Sequence, residues 1–265
     1  MADGVVPSPE AASYTLTLGH LYPELMSTYG DRGNILALAR RAAWRGIALQ
    51  LESIGLGMPV EPARYDLFFF GGGQDREQAV VADDLQAKGP ALREAVESGA
   101  VLLAICGGYQ LLGHEFRTAG GTVLRGIGLL DLWTVAGERR HIGNVIVRCE
   151  LDGTPRTLVG FENHSGKTYL GAAARPLGYV EVGAGNNGED GTEGAVYRDA
   201  YGCYLHGSLL PKNPWFADHL LRRALQRRYG PAASLTPLDD TLEEQAHQAV
   251  LARVRAVGRA AVGVR

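Results

Sequence analysis

Residues 100–112 read Ala-Val-Leu-Leu-Ala-Ile-Cys-Gly-Gly-Tyr-Gln-Leu-Leu. The first six residues are uniformly apolar, which is typical of a strand buried on both faces in a sheet covered by helices. Gly107 and Gly108 permit a sharp turn after Cys106, and the residues that follow open a helix. This order of strand, turn and helix predicts a parallel sheet with Cys106 at the C-terminal edge of one strand.

Upstream of this segment, strand-like and helix-like patterns alternate along the chain. The predicted strands are residues 14–18, 47–51 and 66–70, and the predicted helices are residues 35–45 and 90–98. Asp31 or Asn34 is expected to cap the first of these helices, because both side chains can accept hydrogen bonds from free backbone N–H groups. Alternation of this kind predicts a parallel sheet with helices on both faces.

The pattern changes between residues 129 and 205, where short alternating segments are separated by turns rich in glycine and asparagine. Antiparallel strands are predicted over residues 144–150, 157–162, 179–182 and 195–198. Two helices close the chain, at residues 213–228 and 241–257, and Thr241 with Glu244 forms the pattern of a capping box. We therefore expect one α/β domain over residues 13–258, with a mainly parallel central sheet and added antiparallel strands, behind a disordered tail over residues 1–12.

Composition excludes several classes of protein. Of the 265 residues, 46% are hydrophobic and 21% are charged, which rules out collagen-like, coiled-coil and wholly disordered chains. The 26 basic and 29 acidic residues leave a net charge of −3, and no basic run suits a nucleic acid. Three cysteines are too few for a disulfide framework, and no signal peptide or apolar run of membrane-spanning length occurs. These features predict a cytoplasmic protein without a transmembrane segment.

Cys106 is the candidate nucleophile. At the start of a helix, free backbone N–H groups favour the thiolate, which is the reactive form of cysteine. Judged from its position alone, Cys106 is roughly as consistent with a buried core residue as with a nucleophile, because cysteine is among the most buried residue types. His206, at the end of a predicted strand, is the candidate base. Backbone N–H groups of Gly73, in the loop of residues 71–73, and of Gly107 are candidates for an oxyanion hole.

Two further patterns are set aside. Residues 160–168 resemble a nucleotide-binding P-loop, but five residues separate the glycines where that motif has four, and no strand-to-helix context surrounds them. Cys203 and His206 have the spacing of a zinc pair, but an odd separation on a strand points them to opposite faces and no second pair exists. We therefore expect neither a metal nor an ATP site in this chain, and we expect Cys149 and Cys203 to be core residues.

Several blocks of the sequence, taken together, resemble the class I glutamine amidotransferases, in the subgroup that contains cobyric acid synthase. Within that subgroup the chain is most similar to the GatD family of glutaminase subunits. The blocks are residues 31–34 (Asp-Arg-Gly-Asn), 71–78, 104–110, 160–164 and 204–213. The resemblance implies a flavodoxin-like three-layer sandwich.

The resemblance also implies a reaction. Cys106 would attack the side-chain amide of glutamine, release ammonia and form a glutamyl thioester, while His206 would move the protons. Arg140 would hold the substrate, which suits a guanidinium facing a carboxylate. Many members place a glutamate two residues after the histidine, where this chain has Ser208. We therefore hypothesise either a Cys–His dyad or a third member, a carboxylate, supplied by a partner chain. We expect His164 to be structural.

The resemblance further implies a heterodimer. A MurT-like Mur ligase subunit would bind ATP and use the ammonia to amidate the D-glutamate α-carboxyl of the lipid II stem peptide, in peptidoglycan synthesis. Two alternatives remain open from the sequence. One is a glutaminase that serves another ATP-dependent synthetase, such as a cobyrinate-like one, and the other is a stand-alone γ-glutamyl cysteine hydrolase. An inactive binding subunit is disfavoured because Cys106 and His206 are both present.

Overall fold

The computed structural model describes residues 12–27 and 31–262, so residues 1–11 of the predicted tail lie outside the described residues. The strands are β1 (Tyr14–Leu21), β2 (Ile47–Ile54), β3 (Leu67–Phe70), β4 (Val101–Ile105), β5 (Glu115–Arg117), β6 (Val123–Arg125), β7 (Leu132–Glu150), β8 (Pro155–Leu170), β9 (Gly178–Val182), β10 (Thr192–Glu193), β11 (Ala195–Tyr197) and β12 (Ala200–Cys203). The helices are α1 (Arg32–Ala43), α2 (Asp75–Glu97), α3 (Gly107–Leu112), α4 (Leu209–Lys212), α5 (Pro214–Tyr229) and α6 (Thr241–Val262).

The central sheet has the strand order β11-β12-β4-β3-β1-β2. Its neighbouring strands are parallel, except that β11 is antiparallel to β12. The chain moves toward opposite edges in β1–α1–β2 and in β3–α2–β4, and crossovers of one hand therefore place α1 and α2 on opposite faces. Helix α5 packs beside α1. The predicted mainly parallel sheet between two helical layers is confirmed.

A second sheet carries three of the four predicted antiparallel segments, residues 144–150, 157–162 and 179–182, as parts of β7, β8 and β9. The fourth, residues 195–198, forms β11 at the edge of the central sheet. The order of the second sheet is β10-β9-β7-β5-β6, and β8 pairs antiparallel with β7 along a long hairpin. The register of this hairpin shifts between Ala136 and His141. The segment that resembles a P-loop, residues 160–168, lies inside β8.

Helix α2 is much longer than the prediction of residues 90–98. It starts at Asp75 and contains Pro90 in its interior. A proline inside a helix removes one hydrogen bond, but a stripe at helical spacing, including Val81, Leu85 and Leu92, is fully buried along α2. Burial of this apolar stripe offsets the local cost of the proline, which sequence propensity alone does not reveal.

The predicted helix caps are also wrong. Asp31 precedes α1 but makes no capping hydrogen bond, and the Asn34 side chain accepts a hydrogen bond from the backbone of Leu210. Thr241 donates its hydroxyl to Asp239 and does not cap α6. In each case the side chain hydrogen-bonds to a residue outside the helix, either in a distant segment or, for Thr241, at an upstream aspartate, instead of to the first backbone N–H groups of the helix.

Most of the buried apolar residues form one core between the central sheet and its helices. Strands β3 and β4 are buried along their whole length, as their uniformly apolar sequences predict. A smaller cluster of Ile146, Val159, Leu251 and Val254 joins α6 to the second sheet. No helix in residues 12–27 and 31–262 is both long and apolar enough to cross a membrane.

Replacing Gly108 with alanine is expected to destabilise the fold. A Cβ at this position would lie 2.7 Å from the carbonyl oxygen of Phe70 and 2.8 Å from that of Gly71, so α3 must move away from β3. We expect the free energy of unfolding to fall by about 1–3 kcal/mol, measured by urea denaturation. Gly143→Ala is the matched control, because a Cβ there meets nothing within 4 Å. Equal stability of the two variants would contradict this packing.

Candidate active site

Cys106 occupies a strained turn between β4 and α3. Its backbone angles are φ 50° and ψ −106°, which a residue with a side chain adopts only at a cost. The two glycines that follow allow this turn to pack closely. A Cβ on Gly107 would lie 2.9 Å from both the backbone nitrogen and the carbonyl oxygen of Gly73. The turn therefore presents the sulfur at the C-terminal edge of the sheet, where the sequence placed it.

His206 follows β12 and lies across this edge from Cys106. Its backbone exchanges hydrogen bonds with Phe161 of β8, at 2.9 and 3.2 Å, which hold the residue between the two sheets. A Cβ on Gly72 would lie 2.9 Å from Cε1 of His206 and 3.4 Å from Cβ of Cys106. The structure thus brings together two side chains that lie 100 residues apart in the sequence.

Asp31 completes the arrangement. Its Oδ1 lies 3.1 Å from Nδ1 of His206, and its Oδ2 accepts a hydrogen bond of 2.8 Å from the backbone N–H of Gly72. Asp31 is fully buried and His206 is 1% exposed. A carboxylate on Nδ1 orients the imidazole so that Nε2 is directed to the reacting groups, as in other nucleophile–histidine–carboxylate sites.

The hypothesis of a Cys–His dyad, or of a carboxylate from a partner chain, is therefore wrong. The third group of the site is a carboxylate of this chain, Asp31, in the loop between β1 and α1. Ser208, which occupies the position of the family's glutamate, is therefore not needed as a partner of His206. Sequence reasoning assigned Asp31 to a helix cap because its nearest neighbours in the chain favour that role. Its partnership with His206 spans 175 residues and appears only when the strands are assembled.

The electrostatics favour a charged His206. Burial opposes the charged imidazolium, but hydrogen bonds with Asp31 and Cys106 outweigh it and raise the pKa of His206 from 6.5 to about 10. The imidazolium is therefore the dominant form at neutral pH and can act as a general acid. Because the folded-state pKa is raised, this stabilising contribution is complete below about pH 6.5 and is lost as the pH rises through about 10.

A cavity of about 660 Å³ opens in front of Cys106. Its walls come from the loop after β3, the start of α2, helix α3 and the hairpin β7–β8. The lining residues are Gly73, Gln74, Asp75, Arg76, Gln78, Cys106, Gln110, Phe116, Arg140, Ile142, Asn163, His164, Ser165 and Gly166. Gly73 lines the cavity, and its backbone nitrogen lies 2.9 Å from the Cβ position of Gly107, the residue after Cys106.

Strand alternation separates the two neighbouring arginines of β7. Arg140 lines the catalytic cavity, and its Nε donates a hydrogen bond of 2.7 Å to Oδ1 of Asn163. Arg139 lines a different cavity of about 440 Å³ together with His141. Successive residues of a strand point to opposite faces, and Arg140 is therefore the arginine whose side chain lines the same cavity as Cys106.

His164 lines the cavity and is also packed as a structural residue. Its ring stacks on Tyr204 with centroids 3.6 Å apart, and its Nδ1 lies 2.8 Å from the carbonyl oxygen of Gly166. Burial lowers the pKa of His164 to about 4, so the ring is neutral at neutral pH. Because the carbonyl oxygen can only accept, Nδ1 carries the proton.

The other two cysteines are core residues, as predicted. Cys149 and Cys203 are both buried. Burial raises the pKa of Cys149 to about 12 and raises that of Cys203 as well, so neither thiol is ionised at neutral pH. Within the described part of the chain, no group of three or more histidine, cysteine, aspartate or glutamate side chains is arranged to hold a metal ion.

A family model for the CobB/CobQ-like glutamine amidotransferase domain matches residues 17–214, a span that contains Asp31, Cys106, Arg140 and His206. The chain belongs to this family. The C-terminal helices α5 and α6 lie almost entirely beyond the matched span, and every residue of the site described above lies within it.

Curated members of the CobB/CobQ-like family show how far the likeness extends. The chain is 40% identical over 233 residues to the GatD subunit of the glutamine-hydrolysing lipid II isoglutaminyl synthase of Streptococcus pneumoniae, covering 88% of this chain and 89% of that protein. The GatD subunit of Staphylococcus aureus is 40% identical over 240 residues, covering 91% and 96%. The cobyric acid synthase of Pelotomaculum thermopropionicum is 37% identical over 59% of this chain but only 30% of its own length.

A solved structure supports the fold. A chain described as a glutamine amidotransferase superposes with a TM-score of 0.52 at 16% sequence identity, covering 78% of this chain and 98% of that one. Likeness at this identity concerns architecture alone. It agrees with the three-layer arrangement predicted from the sequence.

Replacing Asp31 with asparagine is expected to slow alkylation of Cys106 by iodoacetamide at pH 7. Without the carboxylate the imidazolium is less favoured, and the thiolate loses a positive neighbour. A nearby charge changes such an equilibrium by about ten- to a thousand-fold, so we expect at least about a tenfold lower rate. Mass spectrometry of the Cys106 peptide measures it.

Asp83→Asn is the matched control, since Asp83 is exposed on α2 and outside the cavity. Its alkylation rate should equal that of the unmodified chain. An unchanged rate in Asp31→Asn would show that the carboxylate does not tune the pair.

Proposed function

We propose that this chain is the glutaminase subunit of a lipid II isoglutaminyl synthase. The observation that carries the proposal is the alignment of Cys106, His206 and Asp31 at the end of a cavity of about 660 Å³. Identity of 40% to two GatD subunits, over most of the length of both proteins, supports the same conclusion.

In the first half of the reaction, the Cys106 thiolate attacks the side-chain amide carbon of L-glutamine. A carbon–sulfur bond forms, and the amide oxygen gains negative charge that the backbone N–H groups of Gly73 and Gly107 stabilise. The His206 imidazolium gives its proton to the amide nitrogen. The carbon–nitrogen bond then breaks, ammonia leaves, and a glutamyl thioester remains on Cys106.

In the second half, water attacks the thioester. Neutral His206 accepts a proton from the water, the carbon–sulfur bond breaks, and glutamate leaves with the thiolate restored. Asp31 keeps the imidazole in one orientation through both halves and stabilises its charged form. The sum is glutamine plus water giving glutamate plus ammonia, and no cofactor is needed on this chain.

Arg140 is the proposed anchor for the substrate α-carboxylate. A guanidinium can donate two parallel hydrogen bonds to a carboxylate, which fixes both position and direction. The Asn163 side chain holds Nε of Arg140 at 2.7 Å and so restrains the guanidinium at the cavity wall.

The ammonia would pass to a MurT-like Mur ligase subunit in a heterodimer. That partner would bind ATP and the lipid II acceptor, and would convert the D-glutamate α-carboxyl of the stem peptide to the amide of D-isoglutamine. Supporting this division, the names of both GatD relatives describe one subunit of a synthase. The segment of this chain that resembles a P-loop is part of a strand. A cytoplasmic location fits ATP-dependent chemistry.

Two other uses of the same site have less support. A glutaminase serving a cobyrinate-like synthetase would fit the similarity to cobyric acid synthases, but those matches cover only 27–38% of the relatives' length. A stand-alone γ-glutamyl hydrolase would need no partner. Co-purification with a ligase-like subunit, and competition by γ-glutamyl peptides, separate these possibilities.

Release of glutamate and ammonia from L-glutamine tests the proposal. We expect activity in the native chain, assayed alone and with its co-purified ligase-like subunit, and no activity in Cys106→Ala, because neither Cys149 nor Cys203 lines the cavity. Cys149→Ala is the matched control and should retain activity. Activity in Cys106→Ala, or none in any form of the native protein, would refute the glutaminase assignment. Amidation of a D-glutamate-containing acceptor with ATP tests the synthase role.

Replacing Arg140 with methionine is expected to raise the KM for L-glutamine by about ten- to a hundred-fold, with a smaller effect on kcat, because charge-assisted hydrogen bonds to the carboxylate are lost. Steady-state kinetics measure both constants. Arg139→Met is the matched control on the opposite face of the same strand and should leave KM unchanged. Similar KM values for the two variants would remove Arg140 from substrate binding.

A further inference from the structure

Gln78 is a buried polar residue in the wall of the catalytic cavity, with no role in the mechanism above. It lies in the first turn of α2, is 2% exposed, and lines the cavity together with Cys106. The Cβ position of Gly107, the residue after the nucleophile, lies 3.0 Å from Nε2 of Gln78. The Gln78 amide is therefore close to the reacting end of the cavity.

The orientation of this amide is determined by its partners. Nε2 of Gln78 donates to the carbonyl oxygen of Gly73 at 3.2 Å and to Oε1 of Gln110 at 3.1 Å. A backbone carbonyl can only accept, so the atom that faces Gly73 must be the nitrogen. Oε1 of Gln78 is consequently on the other side of the amide group from the nitrogen that contacts Gly73 and Gln110.

That oxygen has no hydrogen-bond partner among the described residues. A buried acceptor without a donor costs free energy, and such atoms are rare in folded proteins. Two atoms of this kind, Oε1 of Gln78 and Nε2 of His164, belong to side chains of the cavity wall, where a ligand can supply the missing partner. Of the two side chains, Gln78 is the one whose amide nitrogen lies 3.0 Å from the Cβ position of Gly107.

Further hydrogen bonds keep the Gln78 amide from rotating. Gln110, which accepts from Gln78, donates its own Nε2 to the Tyr204 hydroxyl at 3.0 Å. The Tyr204 hydroxyl lies 2.7 Å from Oγ1 of Thr168, and Oγ1 of Thr168 lies 2.8 Å from that of Thr134. This buried chain of polar side chains is preorganised, because each member restricts its neighbour.

We propose that Gln78 is a substrate-positioning residue whose Oε1 accepts a hydrogen bond from the α-ammonium group of the bound glutamine. This inference rests on the proposed function, since it names a contact within the glutaminase site. Through Nε2, the same amide ties the substrate's position to Gly73, whose N–H group is a proposed oxyanion donor.

The chemistry of glutamine favours its α-ammonium as the donor. Glutamine has two N–H groups, the carboxamide and the α-ammonium. The carboxamide nitrogen departs as ammonia after the first half of the reaction, whereas the ammonium stays on the glutamyl group through both halves. A charged donor also returns more free energy to a buried acceptor than a neutral one does. Arg140, in the same cavity, accounts for the neighbouring α-carboxylate.

Binding of two ligands to a protein without its nucleophile tests the contact. In the Cys106→Ala background, isothermal titration measures Kd for L-glutamine and for glutaramate, which has the carboxamide and the carboxylate but no ammonium. We expect Gln78→Met to weaken glutamine binding by about ten- to a hundred-fold. It should leave the already weaker binding of glutaramate within about twofold, because that ligand has no donor to lose. Retained glutaramate binding also shows that the variant is folded.

The matched control is Gln86→Met, the same change on the same helix. Gln86 is exposed and donates to the backbone of Arg125 and Gly126, away from the cavity. Its affinities for both ligands should be unchanged. Equal weakening of both ligands by Gln78→Met, or no weakening of glutamine, would overturn the proposed contact.

The unmodified chain, assayed for L-glutamine hydrolysis, separates the two levels of inference. If the native chain hydrolyses glutamine but Gln78→Met weakens both ligands equally, the Gln78 contact is refuted and the glutaminase assignment stands. Absence of both hydrolysis and glutamine binding in the native protein, alone and with its ligase-like subunit, refutes both.

Discussion

The buried hydrogen bond between Asp31 and His206 is the interaction on which the site depends. A carboxylate removed from water is stable only where hydrogen bonds and an opposite charge compensate for its lost hydration. Asp31 has both, since the Gly72 N–H donates to one oxygen and His206 lies against the other. In return, Asp31 helps to raise the pKa of His206 against the effect of burial. The same bond therefore places the base, sets its charge and ties the loop after β1 to the loop after β3.

The parallel sheet explains why these groups meet. Asp31 follows β1, the glycine loop follows β3, Cys106 follows β4, and His206 follows β12. All four strands run in the same direction, so their C-terminal ends share one edge, where open α/β sheets commonly bind ligands. The second sheet closes the cavity from the other side, because β8 is bridged to His206 through Phe161. The central sheet thus supplies the reacting groups, and the hairpin β7–β8 supplies the wall that carries Arg140.

Sequence patterns predicted those parts of the protein that depend on near neighbours. The apolar runs of β3 and β4, the turn at Cys106 and the change to antiparallel strands all follow from local spacing, since side-chain burial in a strand repeats over a few residues. Predictions failed where a distant contact outweighed the local preference. Helix α2 continues through Pro90 because its apolar stripe is buried, and Asn34 binds the backbone of Leu210 instead of capping α1. Similarly, the resemblance pointed to Arg140, but only strand alternation distinguishes its face from that of Arg139.

The sequence by itself determined the α/β class and the kinship with the CobB/CobQ-like amidotransferases, and it predicted Cys106 and His206 as the reacting pair, because these depend on motifs of a few consecutive residues. Only the tertiary structure shows which carboxylate lies against His206, how the Gln78 amide is oriented and what shape the cavity has. Hydrogen bonds and burial act between atoms that are close in space, whatever their separation along the chain. Asp31 and His206 are 175 residues apart, so no local pattern carries information about their contact.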